Sequence, residues 1–377
     1  MSQRDTKYWI GFSAMHNIGP RTIRHLSECF PSMETAWNAA AAELVKRGIQ
    51  PQYARTIVEQ RNSVDPELLQ RTVEDSGQTI ITIQDERYPA LLKEIHSPPA
   101  LLYIRGTLPP DGVPALAVVG TRRTSPYGRT ITPRLVGDLA RAGITIVSGL
   151  ALGIDALAHR AALDAGGTTA AVLGCGLDTV YPRTNINLAC SIIEQGGCLL
   201  SEYPPGTEPL RGHFPARNRI IAGLSKAVLV IEGADDSGSL ITARCALDQN
   251  RDVLAVPGNI TSARSRGPNA LIKMGAALIM DTEDVLNALG VEANTPTGQQ
   301  CAPKLDTDEE KILWDLLSSG PLHIDEINRM CKLNTSTINA TLSMLEVKGA
   351  VQHLGGMRYT QAAGHTGKIQ WQKHKRA

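Results

Sequence analysis

No two cysteines in this chain are spaced Cys-x-x-Cys. The seven present (Cys29, Cys175, Cys190, Cys198, Cys245, Cys301 and Cys331) are odd in number and scattered, which argues against both a disulfide framework and a zinc site. HExxH, a P-loop and a Ser-His-Asp order are also missing, so zinc-protease, P-loop ATPase and triad-hydrolase chemistry have no footing. The GxGxxG dinucleotide fingerprint is absent as well. No apolar run approaches the ~18 residues of a membrane span. The opening MSQRDTKYWIGF mixes charges without the apolar core of a signal peptide. The expectation is a cytoplasmic protein with no membrane span, no metal and no cofactor. Net charge is nearly missing too: 38 Lys and Arg against 37 Asp and Glu leave +1, so the total does not announce a polyanionic partner.

The distribution of charge says more than the total. Between Asp111 and Asp138 there is no acidic residue, but Arg122, Arg123, Arg129 and Arg134 are present. Between Glu208 and Glu232 there is again none, while Arg211, Arg217, Arg219 and Lys226 occur. Clustering of one sign makes an anion-binding face; for a single arginine, solvated surface is the competing role.

At 377 residues the chain has room for two or three domains. Residues 1–66 read as a small helical unit. Tyr8, Trp9, Ile10, Phe12 and Met15 give helical spacing, Asn17-Ile18-Gly19-Pro20 stops it, and Ile23, Leu26 and Phe30 resume it. Helix, Gly-Pro turn, helix is the pattern of a helix-hairpin-helix or SAM-like module, whose hairpin backbone can touch a DNA phosphate. Within 67–290 apolar, β-rich runs recur: ALAVVG (115–120), ITIVSG (144–149), TTAAVLG (168–174), CLLS (198–201), AVLVIE (227–232) and VLAVPG (253–258). Helix-length amphipathic segments separate most of them, which predicts βαβ units and a doubly wound, Rossmann-like parallel sheet covered on both faces. Residues 291–304 read as a polar linker. In 305–362, a capping box at Thr307 and Glu310, two further helical patterns and a Gly-Gly hairpin make a winged helix. The tail 363–377 is basic and expected to be disordered.

Ligands of such sheets bind beyond the strand C-termini, where the glycine-bearing turns fall. Gly120, Thr121 and Arg122 end one strand, and Ser148 and Gly149 end the next. Backbone N–H groups at the helix N-termini that follow favour an anion. A guanidinium and a hydroxyl can complete the nest, so the stretch predicts a phosphate site.

These residues also carry a resemblance. YPALLKEIHSPPALLYIRG (88–106), VVGTRRTSPYG (118–128), SGLALGIDALAHRAAL (148–163), AVLGCGLDTVYPRTN (171–185), SEYPPG (201–206), FPARNRIIAGLSKAVLVIEG (214–233), SGSLITARCALDQNRDVLAVPG (237–258) and GPNALIKMGA (267–276) make the chain similar to the bacterial DNA processing protein A family (DprA/Smf). The resemblance implies a single-stranded DNA binder that protects strands and helps load the RecA recombinase in natural transformation. It also implies a homodimer and no catalytic step. Arg122 resembles the family's first phosphate-gripping arginine, and Arg183 falls where relatives are basic. Arg217, Arg219 and Lys226 add a third cluster. Tyr181 and Phe214 are candidates for base stacking, with core packing as the competing role. One departure is Asp235-Asp236 before the Ser-Gly-Ser turn, where many relatives are basic. Two carboxylates beside a phosphate site would repel it, so either this loop faces away from the DNA, which is the expectation, or the groove is narrower here.

Two other function classes stand beside the binder. The central domain also resembles lysine-decarboxylase-like nucleotide phosphoribohydrolases, with Glu202, Asp155, His159 or Glu232 as acid–base candidates. Asp155 and His159, four apart on one predicted helix, are close enough to pair. A duplex-reading regulator would use the helix at roughly 335–348, which offers Thr335, Ser336, Thr337, Asn339 and Thr341 but only Lys348 as a cation. Specific readers place arginine or lysine there, so this module is expected to serve protein interaction or accessory DNA contact.

Overall fold

The computed structural model describes residues 3–291, 305–331, 333–348 and 350–361. The chain divides into two compact units, Met1–Ala293 and Asn294–Ala377. The first opens with six helices: α1 (Gln3–Ala14), α2 (Pro20–Cys29), α3 (Met33–Asn38), α4 (Ala41–Lys46), α5 (Pro51–Gln60) and α6 (Pro66–Asp75). Their starts are written in the sequence. Pro20, Pro51 and Pro66 open α2, α5 and α6, where a missing N–H costs nothing. Asp65 caps α6 by accepting from the N–H groups of Glu67 and Leu68. The helical region therefore runs on to residue 75, and the expected boundary at 66 falls at the start of α6. Trp9, Phe12 and Leu26 of these helices share one core with Leu102 and Tyr103 of the sheet, and the Tyr103 hydroxyl meets Ser13 Oγ at 2.7 Å.

The sheet has nine strands in the order β1-β2-β6-β5-β4-β3-β7-β8-β9. It begins with β1 (Thr79–Thr82), a short helix α7 (Ala90–Lys93) and β2 (Leu101–Gly106). The wound part follows: β3 (Ala115–Val119), α8 (Pro126–Arg141), β4 (Thr145–Ser148), α9 (Ile154–Asp164), β5 (Thr169–Val172), α10 (Ile186–Glu194), β6 (Cys198–Ser201) and α11 (His213–Gly223). It closes with β7 (Ala227–Val230), α12 (Gly238–Asp248), β8 (Asp252–Ala255), α13 (Arg266–Lys273), β9 (Ala277–Leu278) and α14 (Thr282–Leu289). All six predicted strands are present, and β3 to β9 pair in parallel throughout. The antiparallel edge is not among the strands expected from the sequence: β2 runs against β6, and β1 against β2. Leu116 and Val118 pack into one hydrophobic cluster while Ala117 and Val119 pack into another, because successive side chains on a strand take opposite faces. Both faces are buried, as a parallel sheet requires.

Strand order reverses between β3 and β7: β4, β5 and β6 lie on one side of β3, and β7, β8 and β9 on the other. The loops after β3 and β7 therefore part at their C-terminal ends and open a crevice, the usual ligand position of such sheets.

The second unit is a winged helix. It comprises α15 (Asp308–Leu316), β10 (Leu322–His323), α16 (Ile324–Met330), α17 (Thr335–Val347), β11 (Val351–Gly355) and β12 (Arg358–Gln361), with the strands ordered β10-β12-β11. Leu313, Ile327, Ile338, Leu342 and Leu345 form its own core. Half of the expected capping box is made: Thr307 Oγ1 accepts from Glu310 N–H at 3.2 Å, whereas Glu310 Oε2 accepts from Asp306 N–H rather than Thr307. The expected tail 363–377 and nearly all of the linker 291–304 lie outside the described residues.

Candidate nucleic-acid interface

A cleft of about 820 Å³ occupies the crevice between β3 and β7. One wall is the turn Gly120–Arg123. Thr121 N–H donates to Glu232 O at 2.7 Å, Ile154 N–H donates to Thr121 O at 3.2 Å, and Arg123 N–H donates to Thr121 Oγ1 at 3.2 Å. This bracing leaves the Arg122 side chain exposed, with its guanidinium 5.8 Å from the centre of the Phe214 ring. Phe214 is half-buried at the start of α11, and its ring lies 5.5 Å from that of Tyr181, which is 46% exposed. Core packing is thus not their role. The two rings form an aromatic step at the cleft beside a cation, as single-strand stacking requires. Arg211 also lines the cleft and is exposed, and Arg217 lines it from below; their charge is plain in the sequence, but only the fold shows which of four neighbouring cations reach the cleft.

The other expected anion ligands are distributed differently. Ser148 is fully buried and its hydroxyl donates to Val118 O at 2.6 Å. Gly149 N–H donates to Asp155 Oδ2 at 3.1 Å. The Ser148-Gly149 turn is therefore satisfied within the protein and presents no open nest. Arg217 is 4% exposed. Its Nη1 donates to Gly149 O at 2.8 Å and to Val172 O, so it is a strut joining β5 to the β4–α9 turn. Burial pulls its pKa down to about 10, against the opposing pull of Asp155. It stays charged at neutral pH with Nη1 engaged by these two carbonyls, while its buried Nε has no hydrogen-bond partner among the described residues. Gly149 makes room for it, since a Cβ there would lie 2.5 Å from Arg217 Nη1.

Arg219 is two residues on, and helix positions two apart do not share a face. It turns from the cleft to pair with Glu202 at 2.5 Å. Lys226 is exposed but immediately precedes β7, whose Ala227 is in register with Leu116 near the start of β3. It therefore sits at the N-terminal end of the parallel strands, a full strand length from Arg122. Arg183 is exposed at the start of the one-turn helix Arg183–Asn185. Buried Asn185 ties that segment down by donating from Nδ2 to Leu150 O at 2.8 Å.

Protein groups already fill two of the helix N-termini at the crevice, those of α8 and α12. Buried Glu232 accepts from Ser125 N–H at 3.0 Å and from the Ser125 hydroxyl, and Ser125 Oγ accepts from Gly128 N–H to cap α8. Ser237 caps α12. Asp236 is exposed and lines the cleft, so this loop does not face away as expected. Its neighbour Asp235 lies 3.8 Å from Arg266. The Asp155–His159 pair does not form either. Asp155 is spent on Gly149, and His159 Nδ1 meets Thr169 Oγ1 at 2.6 Å. Burial pushes the Asp155 carboxyl up, with Arg217 pulling the other way, and holds His159 down to about 3. Among the described residues no three His, Cys, Asp or Glu side chains converge as a metal site, and no helix is long and apolar enough to cross a membrane.

In the winged helix, Lys348 lies 2.8 Å from Asp306 Oδ2 and 2.7 Å from Glu310 Oε1. The one lysine of the expected recognition segment is thus committed inside the unit.

The same region is the one that known proteins share. Residues 79–290 match the model of DNA recombination-mediator protein A, and residues 276–357 match that of the DprA winged helix domain. Protein Smf of Synechocystis is 36% identical over 396 residues, covering 95% of this chain and 99% of its own. DNA processing protein DprA of Bacillus subtilis is 44% identical over 217 residues, covering 57% of this chain and 72% of its own. The crystal structure of DNA processing protein A from Streptococcus pneumoniae superposes with a TM-score of 0.63 at 36% identity, covering 74% of this chain and 95% of that one. A second solved structure, DNA processing protein A from Helicobacter pylori, described for its single-stranded DNA binding mode, gives 0.50 at 32% identity over 56% of this chain and 95% of that one. With that architecture and those matches, the chain belongs to the DprA/Smf family of DNA-processing, recombination-mediator proteins.

Proposed function

We propose that the switch-point cleft binds single-stranded DNA, gripping its phosphodiester backbone through Arg122 and Arg211 and stacking bases on Tyr181 and Phe214. The observation that carries this reading is the exposed Arg122 guanidinium held over the Phe214 ring by a braced turn. A relative described for its single-stranded DNA binding mode supports it. Gly120 and Thr121 shape the turn, Arg183 adds a cation next to Tyr181, and Ser148, Gly149 and Arg217 hold the floor. Arg219 and Lys226 fall outside this contact set. The α8 and α12 N-termini are already filled by Glu232 and Ser237, which removes two of the helix termini that a nucleotide's phosphomonoester dianion would use. A phosphodiester, needing only arginines, suits the cleft better, and the phosphoribohydrolase reading loses its Asp155–His159 pair.

Within the family's recombination role, the bound strand is protected and passed to the RecA recombinase, and the protein works in the cytoplasm as a homodimer. Support for self-association comes from the edge strand β9, whose Leu278 is 44% exposed, with Met274 at the end of α13 and Met280 just after the strand 74% and 70% exposed; an apolar patch at a sheet edge favours a second copy. The deciding experiment is a salt series of binding to single- and double-stranded oligonucleotides. Preference for single strands with a steep salt slope is the expected result. Preference for duplex, or for neither, would overturn the reading.

A further inference from the structure

The loop between β8 and α13 has no motif that assigns it a role, yet in the structure it is fastened to the cleft at several points. Arg264 O accepts from Gly233 N–H at 2.7 Å, and Gly267 N–H donates to Gly233 O at 2.9 Å. The Tyr127 hydroxyl donates to Pro257 O at 3.0 Å, and Asn269 clamps Gly258 through two hydrogen bonds of 3.2 and 3.0 Å. Arg264 itself donates from Nε to Arg123 O at 2.6 Å. One edge of the Arg264 guanidinium is thereby fixed on the turn that carries Arg122, and the side chain remains exposed. Two residues on, Arg266 is exposed, and its one ion-pair partner among the described residues is the equally exposed Asp235 at 3.8 Å, a kind of contact that contributes little and is readily exchanged.

Sheet order sets these cations in one row, broken after β7 by the exposed Asp235 and Asp236. Arg183 follows β5, Arg122 and Arg123 follow β3, and Arg264 and Arg266 follow β8. All leave the C-terminal ends of parallel strands ordered β5-β4-β3-β7-β8. At ~4.8 Å per strand the line spans about 19 Å across the top of the sheet. Its β8 end is rigidly positioned, so ordering these side chains on a ligand loses little freedom.

We propose that Arg264 and Arg266 form a second phosphate-binding station, which a single strand reaches after leaving the cleft past Arg122 and Arg123. The ligand class is a nucleic-acid phosphodiester backbone, bound without base contact. The station rests on the strand-binding reading of the cleft and extends it by a direction: the strand exits over β7 and β8.

The test compares wild type with the double variant Arg264→Ala/Arg266→Ala in fluorescence anisotropy titrations over a salt series. Two labelled oligonucleotides are used, one just long enough to fill the cleft and one several times longer. The double variant should bind the longer strand at least about tenfold more weakly. Its slope in log salt should flatten by about 0.7 for each phosphate that is no longer neutralised, while binding of the short strand is unchanged. Arg264→Lys/Arg266→Lys, which keeps the charge, should recover most of the slope, and Arg105→Ala, on β2, controls for removal of one positive charge. An equal weakening on both lengths, or none on either, would overturn the station. Failure of wild type to prefer single strands would instead sink the reading of the cleft, so the two failures are separable.

Discussion

If Arg122 grips phosphate as proposed, replacing it by alanine removes a charge-assisted contact of roughly 1.5–3 kcal/mol from an exposed side chain whose contact within the protein is the face of the Phe214 ring. Single-strand affinity should fall and the salt slope flatten by about 0.7, with the melting temperature unmoved; anisotropy and calorimetry check the two halves. Arg217→Ala should do the reverse, lowering the melting temperature because the buried Gly149 and Val172 carbonyls are left without their donor. The two arginines are indistinguishable as letters in basic, glycine-bearing stretches. Burial separates them, and burial at a helix start depends on how α11 lies against β5, which no local pattern encodes. The same holds for Ser148, an open hydroxyl by its place in the sequence but spent on Val118 O in the fold. His159 yields a prediction in pH. Its folded pKa of about 3 lies below the unfolded value of ~6.5, so the unfolded chain binds the extra proton first. Its contribution to stability is complete above about pH 6.5 and falls as pH drops, by up to about 1.4 kcal/mol per unit, until the folded pKa. Asp155 and Glu202, raised by burial, act in the opposite sense in the carboxylate range. The quantity to measure is therefore the difference between wild type and His159→Gln in urea denaturation across pH, and the gap should narrow towards acid.

At the scale of elements, the strand-turn-helix grammar of 115–164 is legible because each buried strand is a short β-rich run ending in a glycine turn. The sequence does not show which turn donors are already used. Spacing alone pairs Asp155 with His159, yet Asp155 lies in the first turn of α9 and reaches back to Gly149 N–H, the nearer unpartnered donor. Glu232 likewise sits 107 residues from the Ser125 it holds, a contact that only the β3–β7 pairing creates. The edge strands β1 and β2 escape a sequence reading because they interrupt the parallel pattern before it begins. Gly153 tests the turn as a unit. Its φ is +84°, and a Cβ would collide with Thr121 O, where the β4–α9 turn meets the arginine turn. Gly153→Ala should cost at least about 1–3 kcal/mol of stability and displace Arg122. The expected signature is a lower melting temperature together with weakened strand binding, in contrast to Arg122→Ala, which spares the first.

For the whole molecule, self-association through β9 predicts a dimer in sedimentation that Leu278→Lys dissociates, since a charge on an apolar strand edge blocks pairing. The division into two units carries the last expectation. Residues 305–361 hold eight carboxylates against five cations, and Lys348 is bound between Asp306 and Glu310. Duplex binding by such a module would need cations facing the major groove, and a net negative charge gives no long-range attraction for phosphate. The unit has its own buried core around Leu313, Ile338 and Leu342, so it should fold when expressed alone. The isolated fragment should show no duplex binding at moderate salt, whereas residues 1–293, which contain the cleft and the whole arginine line, should bind single strands nearly as tightly as the full chain. Both fragments can be titrated with the same labelled oligonucleotides. Tight duplex binding by 305–361 would restore the winged helix as a DNA reader, and failure of 1–293 to bind single strands would move part of the interface onto the second unit. The paired result expected instead, binding in one fragment and none in the other, leaves the winged helix a surface for protein partners, with Met330, Met344 and Val347 exposed on α16 and α17.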